Sequence, residues 1–270
     1  MDRRIPLWVR LYLLVVVFET VRVAIGLFRP GVLQGMVPWP ASPLNARFIA
    51  SIYAALGIGV LACALARHYE EIRIVVIGIL IMTTLLLCLT LIRYYAFPGE
   101  IPTFPVLWIV AYTVDPLLAF LTVWRLGWRR EAGAGRNPYA PVWWAETAVF
   151  GLLGLFLLLS PSAAVRVWPW AMTIPQAQLY SGLFITIAAL SAIAGRESRW
   201  RDIRWFVLVL AVLPVLVLIS SFMHLDRFRH TSSTILWFPL FAIQLLAFGA
   251  MMARETAAGS LKGAPRWKNS

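Results

Sequence analysis

Residues 74–92 read IVVIGILIMTTLLLCLTLI, a run of consecutive positions without a charged side chain. An α-helix needs about 20 such residues to cross a hydrocarbon layer of about 30 Å. The backbone must satisfy its own hydrogen bonds in lipid, so a run of this length favours a helix. The alternating pattern of an outer-membrane strand is absent from the sequence. The stretch therefore predicts a transmembrane helix.

Further apolar runs of similar length occur on both sides of this stretch. A hydrophobic content of 61%, a charged content of 13% and a mean hydropathy of +0.79 exclude an ordinary soluble domain. Together the runs predict about eight transmembrane helices. The predicted spans are 7–28, 48–66, 74–92, 104–123, 142–159, 177–194, 205–222 and 235–253.

The 24 basic residues divide unevenly between the loops on the two sides of these spans. With a cytoplasmic N-terminus, 17 of them fall on the cytoplasmic side, 6 on the other side, and Arg22 within a span. An excess of Lys and Arg in cytoplasmic loops predicts a plasma (inner) membrane protein with both termini in the cytoplasm. The basic residues lie in short loops, so the net charge of +12 indicates topology and a lipid bilayer rather than a nucleic-acid partner.

Glycine, proline and arginine are concentrated between residues 125 and 141. This composition predicts a linker between two halves of the protein. The expected organisation is a first transmembrane half at 1–127, a cytoplasmic linker at 128–140 and a second half at 141–253. A basic tail at 254–270 is expected to lie in solvent against anionic headgroups.

The two halves resemble one another at an offset of 131 residues. Polar, proline and aromatic matches carry most weight, because apolar matches between membrane segments are common. An even number of spans in each half makes both copies enter the membrane in the same direction. The sequence therefore predicts an all-α polytopic bundle of two parallel four-helix repeats. The matches are Pro38-Trp39 with Pro169-Trp170, Glu71-Ile72-Arg73 with Asp202-Ile203-Arg204 and Arg93 with His224, and, after a shift of two places, Trp108 with Trp237 and Asp115 with Gln244.

Ionisable residues within the predicted spans are the candidate ligand-binding or transport residues, because a charge in lipid is costly. Glu19 and Arg22 are three positions apart on one helix and can neutralise each other. Asp115 precedes Pro116, which predicts either a helix restarted at the proline, with a binding site beside it, or a simple kink. Gln244 is the candidate counterpart of Asp115.

Glu146 lies about one turn inside the fifth span and follows two tryptophans. It could reach the interface or pair with an arginine of the linker. Two proline-rich, apolar outer segments contain the further candidates Trp39, Trp168 and Trp170. These segments predict interfacial or re-entrant loops that form a lid, form a docking surface or anchor the chain.

The sequence predicts no metal site and no cofactor. Its three histidines fall at predicted span ends, which argues against haem between helices, and no catalytic motif is present. Three functions remain open. The favoured one is a non-enzymatic accessory subunit of a membrane protein complex or a binder of a lipophilic ligand. The alternatives are a small-solute or proton-coupled transporter and an intramembrane lipid-modifying enzyme.

Overall fold

The structure, a computed structural model, describes residues 3–33, 36–37, 41–96, 106–128 and 137–263. Within these ranges the chain forms α-helices joined by turns, short 3-10 segments and isolated bridges. The helices are α1 (Leu7–Ala24), α2 (Pro43–Leu65), α3 (Tyr69–Ala96), α4 (Val106–Leu126), α5 (Ala140–Leu159), α6 (Pro161–Val167), α7 (Ile174–Ala194), α8 (Trp200–Phe222) and α9 (Ser232–Gly263).

Seven helices are long and apolar enough to cross a membrane, namely α2, α3, α4, α5, α7, α8 and α9. They indicate a multi-pass membrane protein and confirm the prediction of an all-helical bundle. The remaining long helix, α1, has 18 residues and carries three charged side chains, Arg10, Glu19 and Arg22.

Local sequence signals define where several helices begin. Ser42 caps α2 by accepting a hydrogen bond from the Asn45 backbone, and Pro43 occupies the first turn. Thr173 and Gln176 form a reciprocal capping box at the start of α7. Both arrangements satisfy backbone N–H groups that have no partner inside the helix.

Four helices form the centre of the bundle and the others flank it. Helices α2 and α8 pack together, as do α3 and α7, and α3 also contacts α8. On the periphery, α1 packs on α2 and α5 packs on α7, while α4 packs on α3 and α9 packs on α8. In the most apolar stretch of each helix, only 22% of the peripheral α5 and 28% of the peripheral α9 is buried, against 72% of the central α7. Each peripheral helix therefore leaves a broad apolar face for lipid.

Polar contacts join the two predicted halves, 1–127 and 141–253, at both ends of the central helices. At the end that contains His224, the Arg47 guanidinium contacts His224 and Arg93 donates to Gln178. Residues 131 positions after Arg47 and Arg93 are Gln178 and His224, so the two contacts map onto each other at the offset found in the sequence.

The opposite end, which contains Tyr69, is joined by two ion pairs. Arg73 pairs with Glu197 and Arg204 pairs with Glu71. Arg73 and Arg204 are also 131 positions apart, and each arginine reaches an acid of the other half. The carboxylates of Glu71 and Glu197 are buried. Arginine side chains therefore join the two predicted halves at both ends, but only the contacts at the His224 end map onto each other at an offset of 131.

Several predicted boundaries differ from the structure. The predicted tail begins at 254, but α9 continues to Gly263 because Arg254–Ala258 continue the helical hydrogen bonding. The short helix α6 was not predicted, and the proline and serine at its start explain why the chain turns there.

Helix α4 runs through Pro116 without a break, so the prediction of a helix restarted at that proline is wrong. Most of the predicted linker lies outside the described residues.

Candidate functional site

Glu19 of α1 and Asp115 of α4 come together in the first half of the protein. Their carboxyl groups lie within hydrogen-bonding reach of each other. Asp115 is buried and Glu19 is half-buried. Two carboxylates offer only acceptors, so a hydrogen bond between them requires a proton on one of the two. One proton shared between the two carboxyls would satisfy this requirement.

The backbone of α4 is also held at this point. The Tyr12 hydroxyl of α1 donates a 3.2 Å hydrogen bond to the carbonyl oxygen of Asp115. Pro116 has no backbone N–H, so it leaves the carbonyl of Tyr112, rather than that of Asp115, without its usual helical partner. Tyr12 and Glu19 are seven residues apart on α1, which places them on one face. That face fixes both the backbone and the carboxyl of Asp115.

Aromatic residues surround the carboxyl pair. The hydroxyl groups of Tyr53 and Tyr112 are hydrogen-bonded to each other. The Tyr112 ring stacks on Trp108 with 4.1 Å between ring centroids and 26° between their planes. Trp108, Tyr112 and Asp115 recur at helical spacing on α4, so they share its inward face. The site thus combines two carboxyls with a wall of aromatic rings.

The carboxyl pair lies in the wall of a cavity of about 520 Å³. Side chains from α1, α2, α3, α4, α7 and α8 line this cavity, and most of them are apolar. Three threonines also line it, but each donates its hydroxyl to a carbonyl of its own helix. These threonines are Thr20, Thr83 and Thr186. A volume of several hundred Å³ with few polar groups is typical of a small-molecule site.

The cavity opens sideways between α1 and α4. Phe18, Val106 and Leu107 line it, and 64%, 73% and 57% of their respective surfaces are exposed. These side chains lie on the outside of the bundle, where an apolar surface meets lipid. The mouth therefore gives a route between the cavity and the hydrocarbon layer.

Arg22 lies near the mouth and provides the positive charge among the residues that line the cavity. It is an attractive neighbour of Glu19, whereas Asp115 is the hydrogen-bond partner of Glu19. The Arg22 guanidinium also lies over the Phe18 ring, 6.0 Å from its centroid. The structure thus brings Glu19, Arg22 and Asp115 into one site.

Glu146 and Gln244 form a separate pair between α5 and α9. Gln244 Nε2 donates a 2.7 Å hydrogen bond to Glu146 Oε1. Neither residue lines the cavity. Glu146 thus meets the predicted counterpart of Asp115 rather than Asp115 itself. In each predicted half, a glutamate of the first helix lies beside a polar residue of the last.

The inward faces of α4 and α9 correspond at an offset of 129. In α9 a phenylalanine replaces Tyr112, and an amide that does not ionise replaces the carboxyl of Asp115. The inward face of α9 therefore has a polar contact but neither the hydroxyl of Tyr112 nor the carboxyl of Asp115. The buried correspondences are Trp108 with Trp237, Tyr112 with Phe241, Asp115 with Gln244 and Ala119 with Phe248.

The structure places Trp168 and Trp170 inside the bundle, where 4% and 1% of their surfaces are exposed. Trp170 donates from Nε1 to Asn45 Oδ1 at 2.8 Å, and both rings pack edge-on against Trp237. They anchor the loop before α7 and do not form an exposed docking surface. Trp39 lies outside the described residues.

Sequence reasoning missed Tyr12, Tyr53 and Tyr112. The signal for two of them was their spacing from an acid on the same helix, seven positions for Tyr12 and three for Tyr112.

Over the part of the chain that the structure describes, no group of three or more His, Cys, Asp or Glu side chains is placed to hold a metal ion.

Comparisons with protein-family models, with curated proteins and with solved structures find no match to this chain. The function must therefore be inferred from the geometry of the site.

Proposed function

We propose that this protein binds a lipophilic molecule in the cavity between α1 and α4, with the polar end of that molecule at Glu19 and Asp115. The observation that carries the proposal is an apolar cavity of about 520 Å³ that has two neighbouring carboxyls, Glu19 and Asp115, in its wall. The threonine hydroxyls are committed to their own helices, so the carboxyls and Arg22 are the charged groups that can orient a ligand.

The sideways mouth supports a ligand that arrives from the membrane. Phe18, Val106 and Leu107 are exposed at the mouth and apolar, so a hydrocarbon chain loses no favourable solvation as it passes them. A water-soluble substrate would instead have to leave water before it reached the carboxyls. Binding from the lipid phase is therefore the more favourable route.

The proposal includes an arrangement in the plasma (inner) membrane with α1 as an eighth span and both termini in the cytoplasm. The grouping of Glu19 with Asp115 and Arg22 supports a spanning α1, since one proton on the two carboxyls and the charge of Arg22 together make the group neutral. The exchange of Arg47–His224 with Gln178–Arg93 under the offset of 131 supports two parallel repeats. The basic loops support the orientation.

Photolabelling with a diazirine-bearing long-chain alcohol in nanodiscs tests the proposal. Ala111 lines the cavity, so Ala111→Phe fills part of it. Ala148 is exposed on α5, so Ala148→Phe adds the same side chain away from the cavity. We expect the probe to label α1 and α4 peptides in the parent protein and in Ala148→Phe, and to lose at least half of this labelling in Ala111→Phe. Equal labelling in all three proteins would contradict the proposal.

The shared proton favours a second candidate, proton-coupled transport. A coupled carrier needs a group that faces the substrate and binds or releases a proton, and the Glu19–Asp115 pair meets that need. Proteoliposomes with an imposed pH gradient test it by tetraphenylphosphonium uptake. Gradient-driven uptake that disappears in Asp115→Asn would support transport, whereas equal leakage with and without the protein would exclude it for this substrate.

A further inference from the structure

The net charge of the ionisable groups at the site indicates the class of ligand. With one shared proton, Glu19 and Asp115 together carry one negative charge, which the positive charge of Arg22 balances. Loss of that proton leaves one uncompensated negative charge in an apolar cavity. Such a charge is costly unless a cation neutralises it.

We infer that the cavity takes a lipophilic monocation of the quaternary ammonium or phosphonium class, and that this cation replaces the proton shared by Glu19 and Asp115. The inference rests on the proposed function and specifies its ligand. One cation enters and one proton leaves, so the net charge of the site is the same before and after exchange. No covalent bond forms or breaks apart from the O–H bond of the departing proton.

The aromatic wall favours a cation over a neutral molecule. Trp108 and Tyr112 both line the cavity and lie on the α4 face that carries Asp115. The faces of such rings attract a cation whose charge is spread over alkyl or aryl groups. A hydrated inorganic ion would gain little there, because the cavity offers few oxygen ligands. A bulky organic cation is the ligand that satisfies both the carboxyls and the rings.

The titratable groups around the pair are few. Arg22 and Tyr12 face it from α1, Tyr53 from α2 and Tyr112 from α4. The lining residues contributed by α3, α7 and α8 carry no ionisable side chain. The three tyrosines are engaged in hydrogen bonds to a carbonyl or to one another. The proton that a cation displaces therefore comes from the carboxyl pair.

The second half supplies the control for this exchange. Glu146 is also a carboxyl in an apolar helix, but it accepts from the amide of Gln244 and lies outside the cavity. Glu146→Gln removes one membrane carboxyl without touching the site. Asp115→Asn and Glu19→Gln each remove one member of the pair while preserving the size of the side chain.

Equilibrium binding of tetraphenylphosphonium and of the neutral triphenylphosphine oxide to the protein in zwitterionic nanodiscs tests the inference. Displacement of one proton predicts that the affinity for the cation rises by up to about tenfold per pH unit while the pair holds its proton. The neutral probe should bind independently of pH. In weakly buffered solution, about one proton should be released for each cation bound.

Asp115→Asn and Glu19→Gln should each weaken cation binding at least about tenfold and flatten its pH dependence, because each leaves a single carboxylate already balanced by Arg22. Both variants should still bind the neutral probe, which shows that they are folded. Glu146→Gln should behave like the parent protein. A cation affinity that is independent of pH, or an equal loss in Glu146→Gln, would overturn the inference.

The two probes separate this inference from the proposed function. If the neutral probe binds and Ala111→Phe removes its binding, while the cation binds no better at high pH, the proposed function stands and the cation inference is wrong. If neither probe binds, both are wrong. If the cation binds with proton release, both are supported.

Discussion

Gln244 Nε2 donates to Glu146 Oε1 at 2.7 Å, at the position where the first half places two carboxyls in contact. The two pairs share a location between the first and last helices of their halves and differ in one chemical respect. An amide cannot lose a proton in the range where a carboxyl does. The second pair is therefore suited to holding helices together, and the first to exchanging a proton.

The structural role of Glu146 predicts a specific pattern of stabilities. Gln244→Leu should lower the free energy of unfolding by about 1–3 kcal/mol, because it leaves the Glu146 carboxyl without its donor. The double variant Glu146→Leu with Gln244→Leu should recover most of that loss, since neither position then has a buried polar group without a hydrogen-bond partner. Equilibrium unfolding in mixed micelles measures both. Additive losses in the double variant would show that the hydrogen bond does not act as a pair.

The ion pairs between the halves predict a second effect. Arg73→Met takes the arginine away from the buried Glu197 carboxylate and should cost about 3 kcal/mol or more of the free energy of unfolding. Adding Glu197→Met should restore more than half of it. Asp226→Asn is the control, because the Asp226–Arg227 pair is exposed and should contribute about 0–1 kcal/mol. Equal costs for Arg73→Met and Asp226→Asn would contradict the account.

His224 predicts a pH-dependent stability. Burial, together with the charge of Arg47, holds the pKa of His224 below its usual value. The unfolded chain therefore binds a proton on this side chain more readily than the folded chain does, and its contribution to stability falls as pH drops from about 7 to about 5. His224→Gln gives Arg47 an amide partner of the kind that Arg93 has in Gln178.

Thermal unfolding of the parent protein and of His224→Gln at both ends of this pH range measures the effect. The parent should lose more stability on acidification than the variant does. The prediction fails if the two proteins change in parallel, since the proton uptake would then belong to other groups.

The close approach of α5 to α7 predicts a contrast between two glycines. A Cβ at Gly154 would lie 2.9 Å from the Ile185 backbone nitrogen, so Gly154→Ala must push the two helices apart. A Cβ at Gly249 would meet nothing within 4 Å. Gly154→Ala should be destabilising by about 1–3 kcal/mol. Gly249→Ala should be neutral or stabilising by up to about 1 kcal/mol. Equilibrium unfolding of both variants in micelles measures the two changes in stability. Equal changes would contradict this packing.

The long apolar helices could be predicted from the sequence because burial in lipid imposes a simple rule on composition. The runs predicted at 74–92 and 205–222 lie within α3 and α8. Their ends were less predictable, since a helix such as α9 continues into polar sequence once its backbone bonds are formed. Helix α6 lies in a proline-rich segment where turn and helix signals compete.

The site could be predicted only as separate residues. Glu19 and Asp115 stand out because charge is costly in a membrane helix, but their meeting depends on α1 lying beside α4. Hydrophobicity does not specify which helices are neighbours. The burial of Trp168 and Trp170 could not be predicted either, because an interfacial tryptophan and a buried one have the same sequence signature. The order of helices around the bundle is a tertiary property.

Native mass spectrometry of the protein released from nanodiscs tests most directly whether the cavity holds a lipophilic molecule. The account predicts a bound non-protein mass on the parent protein and on Ala148→Phe, and at least a twofold lower occupancy on Ala111→Phe. The same bound mass at the same occupancy on all three proteins would contradict it, because the molecule would then lie outside the cavity beside Glu19 and Asp115.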